Sequence, residues 1–326
     1  VELTQTELDE LAERYPGADI WPLTPLQSGL YFEADRVSST QGDVDVYSTQ
    51  TVLHLRSGVD LDRLREATER VVAHHAALRS SFVRTRGGAI VAVVVDEVDV
   101  PWREIGIDAS AGSTAEEVSA IAARETAIPF DFTRPPLMRV VAVHHASGIS
   151  VVITNHHILF DGWSGPLVLA DLLSLYATGA TYTAQLGDRG DGFGRYTKRL
   201  ALSDHDAGIK AWGEVLAAVT EPTLVVPDAV GGATRTPRDH RFALGAECSR
   251  ELDALARERG VTMATVLQFA WAVLLSRLTG NRVVTFGETV SGRPADLDGV
   301  ETMVGLFINT VPTVVDVNPA ASIADV

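Results

Sequence analysis

Along this chain the spacing of apolar positions switches repeatedly between three-to-four and two, and each switch marks a helix or a strand. TQTELDELAERY reads as a short helix, and the Pro-punctuated WPLTPLQSGLYFE as a turn that starts another. STQTVLHL reads as a strand. Asp60 caps a helix on which Leu61, Leu64, Ala67, Val71, His75 and Leu78 form one buried face. SSFVRTRGGAIVAVVV predicts two extended segments around Gly87 and Gly88, and Ser113 with Glu116 predicts a capping box for a helix to about residue 128. LMRVVAVHHASGISVVITNHH alternates on both sides of Ser147 and Gly148, the pattern of two antiparallel strands, the second ending at His156 and His157. Ser164 then caps a helix through PLVLADLLSLYAT, with Gly179 just past its end.

Residues 180–195 are rich in Gly, Asp and Thr, which predicts a boundary between an N-terminal domain, 1–182, and a C-terminal one, 183–326. Beyond it HDAGIKAWGEVLAAV is helical, PTLVV extended and GGATRTPRDH a mobile loop. Helices follow over 248–259 and 263–278, the second capped by Thr262 and stopped by Gly280. RVVTFGETVSGRP and VGLFINTVPTVVDV are apolar enough to predict buried strands. No repeat of solenoid period occurs, only two halves of similar α/β, two-layer make-up.

Composition narrows the partners. With 46% hydrophobic and 21% charged residues the chain is ordinary globular material. A net charge of -16 argues against binding the phosphate backbone of nucleic acid or an anionic membrane. The apolar runs are interrupted or too short for a spanning helix, and a single cysteine, Cys248, excludes an internal disulfide framework. The expectation is a soluble, cytoplasmic protein whose partners are small molecules or proteins.

Three His-His pairs occur, of unequal promise. His75 sits on an apolar helix face, where a packed, hydrogen-bonded role is expected, and His144 and His145 mark a strand end. His156 and His157 stand instead before Asp161 and Gly162, in VVITNHHILFDGWSGP. Consecutive strand residues point to opposite faces, so one of the two imidazoles can face a cleft while the other is held inside. Asp161 is close enough to brace the loop. The same residues also fit a buried His-Asp network that only shapes a turn. A metal site is disfavoured, because adjacent strand histidines diverge and no Cys or Glu cluster accompanies them. Covalent catalysis lacks a G-x-S-x-G elbow or a base near Cys248. A lone histidine points to direct transfer between two bound substrates.

The ordered motifs LTPLQSGLYF, HHAALRSSF, FDFTRPPLMRV, HHILFDGWS and SGRPADLDGVETMVGLFINTVP resemble those of condensation domains of nonribosomal peptide synthetases. The central H-H-x-x-x-D-G pattern falls on His156, His157, Asp161 and Gly162. The resemblance implies two chloramphenicol-acetyltransferase-like halves arranged as a V, the C-terminal one incomplete where this chain stops. It implies peptide-bond formation between an aminoacyl or peptidyl thioester on an upstream carrier protein and the α-amine on a downstream one. The 4'-phosphopantetheine arms belong to those carriers, so no cofactor is bound by this domain, and an adenylation domain is an expected neighbour.

Carried onto this chain, the resemblance makes His157 the catalytic residue. His156, Asp161, Gly162, Trp163 and Arg293 become its supports, with Arg293 pairing Asp161 from the other half and Gly162 keeping a tunnel open. Ser164 and Asn309 are expected near substrate. The motifs resemble those of members taking a D-residue donor and an L-acceptor, rather than epimerization or heterocyclization domains. Ala76 departs from the Glu common in the second motif. A free-standing acyltransferase using coenzyme A and a non-catalytic recruitment domain of the same fold are the alternatives.

Overall fold

The helix and strand periods separate as expected into helices laid on open sheets. The computed structural model describes residues 3–38, 45–107, 114–179, 191–226, 242–318 and 320. These divide into two units, Val1–Ser203 with Ser291–Asn309, and Asp204–Val290 with Thr310–Val326. The expected boundary at 182/183, the Ser113 cap and the GGATRTPRDH segment lie outside the described residues.

In the first unit α1 (Gln5–Arg14) starts at a capping box, with Thr4 Oγ1 accepting from Glu7 N–H and the Glu7 carboxylate accepting from Thr4 N–H. Strand β1 (Asp19–Pro22), which the sequence pattern did not predict, is followed by helix α2 (Pro25–Ser38), which starts inside the stretch read as a turn and helix start. Strand β2 (Ser48–Leu55) coincides with STQTVLHL, and Asp60 caps α3 (Leu61–His74) by accepting from Arg63 N–H at 3.0 Å. The helix does not run on to Leu78. His75 turns extended, its Nε2 lying 2.9 Å from Oδ2 of Asp171, and a 3₁₀ turn, Ala76–Arg79, takes over. A buried partner for that imidazole thus overrides helical periodicity.

The expected hairpins are present as β3 (Ser80–Arg84) with β4 (Ile90–Val94), and β6 (Met138–His145) with β7 (Gly148–His156). Between them lie β5 (Trp102–Gly106), which the sequence reading missed and which runs parallel to β6, and α4 (Thr114–Thr126). The sheets are β1-β4-β3 and β2-β7-β6-β5. One face of the larger packs Val141, Val143 and Val152 on Val118 and Ile121 of α4. Its other face joins a cluster with Leu64 and Val71 of α3 and Leu172 and Leu175 of α5 (Ser164–Thr178). Each such side chain contributes roughly 1.5 to 3 kcal/mol on full burial. Helix α6 (Gly192–Ala201), also unforeseen, buries Phe193 and Tyr196.

The second unit holds α7 (His205–Leu216), α8 (Ala246–Arg259), α9 (Met263–Thr279) and a two-stranded sheet, β8 (Val283–Val290) with β9 (Asn309–Asp316). Thr262 and Gly280 bound α9 as expected. PTLVV is not a strand: Pro222 has no N–H to give a ladder, and Thr223 Oγ1 accepts from Thr285 N–H instead. The two final strands are only half-buried: α9 covers Val284 with Ala272 and Leu275, and among the described residues each strand pairs only with the other. Among the described residues no single helix is long and apolar enough to cross a membrane.

Candidate active site

Strand β7 delivers His156 and His157 to the same place with opposite orientations. Ser48 pairs with His156 in the last step of the β2-β7 ladder, and just past it His157 N–H donates to the Tyr47 carbonyl at 2.8 Å. His157 therefore shares a face with Ile153 and Asn155, and His156 the opposite face with Thr154.

His156 is 0% exposed. Its Nδ1 accepts from Ile158 N–H at 3.0 Å, and Nε2 lies 3.0 Å from Oδ2 of Asp45. Phe132 packs edge-on with its centroid 4.7 Å away. Burial pushes the Asp45 carboxyl up, but the hydrogen bond and charge of His156 and the Tyr47 N–H outweigh it and hold the group below its usual range. Asp45 and Tyr47 were not singled out from sequence, since a lone Asp before a strand carries no spacing signal.

His157 is half-buried, and its Nδ1 is buried without a hydrogen-bond partner among the described residues. A buried, unsatisfied nitrogen costs about 1 to 3 kcal/mol. Such groups in a folded protein call for an explanation in chemistry or in a ligand.

Asp161, 1% exposed, is the reverse case. Oδ1 accepts from Ser164 N–H and lies within hydrogen-bond distance of Ser164 Oγ, both at 2.9 Å. Oδ2 accepts from Phe307 N–H at 2.9 Å and Ile308 N–H at 3.2 Å. Arg293 lies 3.6 Å from Oδ1, donates to Ser164 Oγ and to the carbonyls of Met303 and Val300, and stacks its guanidinium 4.0 Å over the Phe307 ring. Burial pushes the guanidinium of Arg293 down, and Asp161 works against that shift. Gly292, at φ 62°, lets the chain pass the Phe307 carbonyl where a Cβ would collide, and so delivers Arg293.

Arg293 lies on the segment 291–309, which groups with the first unit, so its contact with Asp161 falls within that unit. One expectation changes here. Ser164, expected to face a channel and to cap α5, is 0% exposed and caps nothing; Asp161 takes the α5 N–H, and the Ser164 hydroxyl also lies 2.9 Å from the Gly305 carbonyl. In the segment 303–308 the N–H groups of Phe307 and Ile308 go to this carboxylate and that of Gly305 to Ser164 Oγ rather than to a neighbouring strand.

The remaining assignments occupy simpler positions. Trp163 is 52% exposed, donates Nε1–H to the Glu301 carbonyl at 3.0 Å and lies beside the Arg293 guanidinium. Gly162 is exposed, and a Cβ there would meet nothing within 4 Å. Asn309 opens β9, half-buried. The structure thus brings Asp161, Trp163, Ser164 and Arg293 into one network beside the strand end that carries the histidines.

A family model for the condensation domain matches residues 18–326. One protein of the linear gramicidin synthase of Brevibacillus parabrevis is 33% identical over 325 residues, covering 94% of this chain and 4% of that protein. The chain thus spans a small part of the curated relatives it matches. Among solved structures, the first condensation domain of the calcium-dependent antibiotic synthetase superposes with a TM-score of 0.70 at 21% identity, over 94% of this chain and 72% of that one. The epimerization domain from the third module of tyrocidine synthetase B gives 0.73 at 19%, over 93% and 70%. At these identities the likeness establishes the mixed helix-and-sheet fold.

Proposed function

This chain belongs to the condensation-domain family, and from that premise we propose that it joins two carrier-bound aminoacyl groups by a peptide bond. The donor is an aminoacyl or peptidyl thioester on an upstream carrier protein. The acceptor is the α-amine of an aminoacyl group on a downstream carrier, of the kind an adjacent adenylation domain loads. Both arrive on 4'-phosphopantetheine arms, which are part of the substrates. Cys248, exposed and unpaired, suits a reducing cytoplasm.

The observation that carries this reading is the half-buried imidazole of His157, just past the end of β7, with no partner for Nδ1 among the described residues. The acceptor nitrogen attacks the thioester carbonyl, a C–N bond forms, and the tetrahedral intermediate collapses with loss of the thiolate. His157 serves the amine as base or as the group that orients it, and the proton released from nitrogen ends on the departing thiolate. A positioned acid or base is worth about two to four orders of magnitude in rate. His156, Asp161 and Arg293 hold the loop, Trp163 covers the guanidinium, and the open space at Gly162 suits the approach of a pantetheine arm. The two-half organisation, 1–182 and 183–326, stays part of this proposal, as does a D-residue donor.

The test is single-turnover product formation by the purified chain with both carriers loaded, followed by mass spectrometry of the acceptor carrier. Dipeptide on that carrier supports the reading, and a faster rate with the D-donor supports the stereochemical part. Transfer from a soluble acyl-CoA without a carrier would favour a free-standing acyltransferase. Carrier binding without product would favour a recruitment domain.

A further inference from the structure

The face of β7 that carries Ile153 and Asn155, and that the alternation extends to His157 just past the strand end, walls a cavity. Ile153 and Asn155, four and two residues before His157, line a space of about 50 Å³ with Val71 of α3, Phe160, and Val168, Leu169 and Leu172 of α5. Phe160 and Gly165 come from the loop and helix start that follow His157, so the chain folds around this space immediately on both sides of the imidazole. His157, the first residue past β7, follows two residues after the Asn155 wall. A larger cavity, about 420 Å³, is lined by Tyr31, Asp45, Phe130 and Phe132, residues of the His156 side, and does not share this face.

Resting on the peptide-bond reading above, we propose that the smaller cavity is the subsite for the side chain of the acceptor aminoacyl group, and that it admits small aliphatic side chains. The α-amine that meets His157 is one bond from Cα, and the acceptor side chain leaves that same carbon, whereas the donor side chain starts one bond further away. The volume lies between the roughly 10 to 15 Å³ that hold one water and the roughly 150 Å³ that take a benzene. Its walls are mainly aliphatic and aromatic, so an apolar group of one to three carbons is the occupant that fits.

Gly165 supplies the test. A Cβ there would meet only Phe160 Cε2, at 3.9 Å, so an added methyl enters the space without collision, and Ala is a better helix residue than Gly. The purified chain, Gly165→Ala and Leu169→Ala are assayed with one donor carrier and acceptor carriers bearing glycine, alanine, valine or phenylalanine. One methylene in an apolar pocket is worth about 10- to 200-fold in kcat/KM. Gly165→Ala should lower the valine-to-glycine ratio by at least about tenfold, and Leu169→Ala should raise the phenylalanine-to-glycine ratio. Ratios unchanged in both variants overturn the proposal, as does a shift that follows the donor side chain instead. In either case dipeptide formed by the parent chain with glycine keeps the peptide-bond reading standing. No product from the parent with any acceptor removes that reading and the subsite together.

Discussion

The Asp161 carboxylate meets Ser164, Phe307 and Ile308 at 2.9 to 3.2 Å and the Arg293 guanidinium at 3.6 Å. Four residues earlier in the chain, His157 leaves Nδ1 without a partner among the described residues. Both groups are polar and both sit on the loop that follows β7. The difference separates a group that fixes geometry from one free to do chemistry: a carboxylate with its lone pairs already occupied has no capacity to take a proton from an amine, while an imidazole with an uncommitted nitrogen has.

His157→Ala breaks the comparison most sharply. Single-turnover peptide formation with both carriers loaded should fall by about 10²- to 10⁴-fold. The urea midpoint should stay near the parent value, because the deleted ring makes no hydrogen bond through Nδ1 that folding depends on. A variant that unfolds at much lower urea would make His157 another structural group.

Arg293→Ala probes the opposite side. Removing one partner of a buried ion pair leaves an uncompensated charge and costs about 3 to 5 kcal/mol, against a usual total of about 5 to 15 kcal/mol. A double-mutant cycle over Asp161 and Arg293 in urea should show strong coupling. If Asp161→Asn keeps the parent's stability and loses all turnover, the carboxylate belongs to the chemistry and the contrast collapses.

How much of this was legible depends on whether the deciding contacts were local. The β6-β7 hairpin, the Asp60 and Thr262 caps and the opposed faces of His156 and His157 follow from period and turn residues alone. The motif residues were legible through resemblance. What escaped were long-range partners: Asp45 for His156, Asp171 for His75, and the backbone of 305–308 for Asp161 and Ser164. The same cause explains the broken helix at His75 and the missing ladder over 303–308, where a distant side chain outbid a local pattern. Strand β5 escaped because its exposed Arg103 and Glu104 blur the alternation.

Ser164→Ala should cost less than the loss of Arg293. The hydroxyl has one proton for two acceptors at 2.9 Å, Asp161 Oδ1 and the Gly305 carbonyl, and it accepts from Arg293 at 3.0 Å. Deleting it strands buried groups worth about 1 to 3 kcal/mol. The urea midpoint reports that loss, and turnover measured well below the midpoint should change little. A collapse of turnover at unchanged stability would place the hydroxyl with His157.

The smallest expected effect tests whether the committed side extends to the neighbouring histidine. Asp45 is held below its usual range in the folded chain by His156 and the Tyr47 N–H, against the opposing pull of burial. A carboxyl lowered on folding contributes stability that is fully present above its unfolded pKa, about 3.9. That contribution disappears as pH falls through the lower folded value. The urea midpoint of the parent should therefore drop on acidification below about pH 4, and Asp45→Asn, which cannot titrate there, should drop less over the same interval. Because Asp45 meets His156 on the face opposite His157, the pH profile of single-turnover peptide formation between pH 6 and 8 should be the same in the two proteins. A shifted rate profile with an unchanged acid limb would mean that Asp45 acts on the reacting imidazole and that the two faces of β7 are not separated as the side chains indicate.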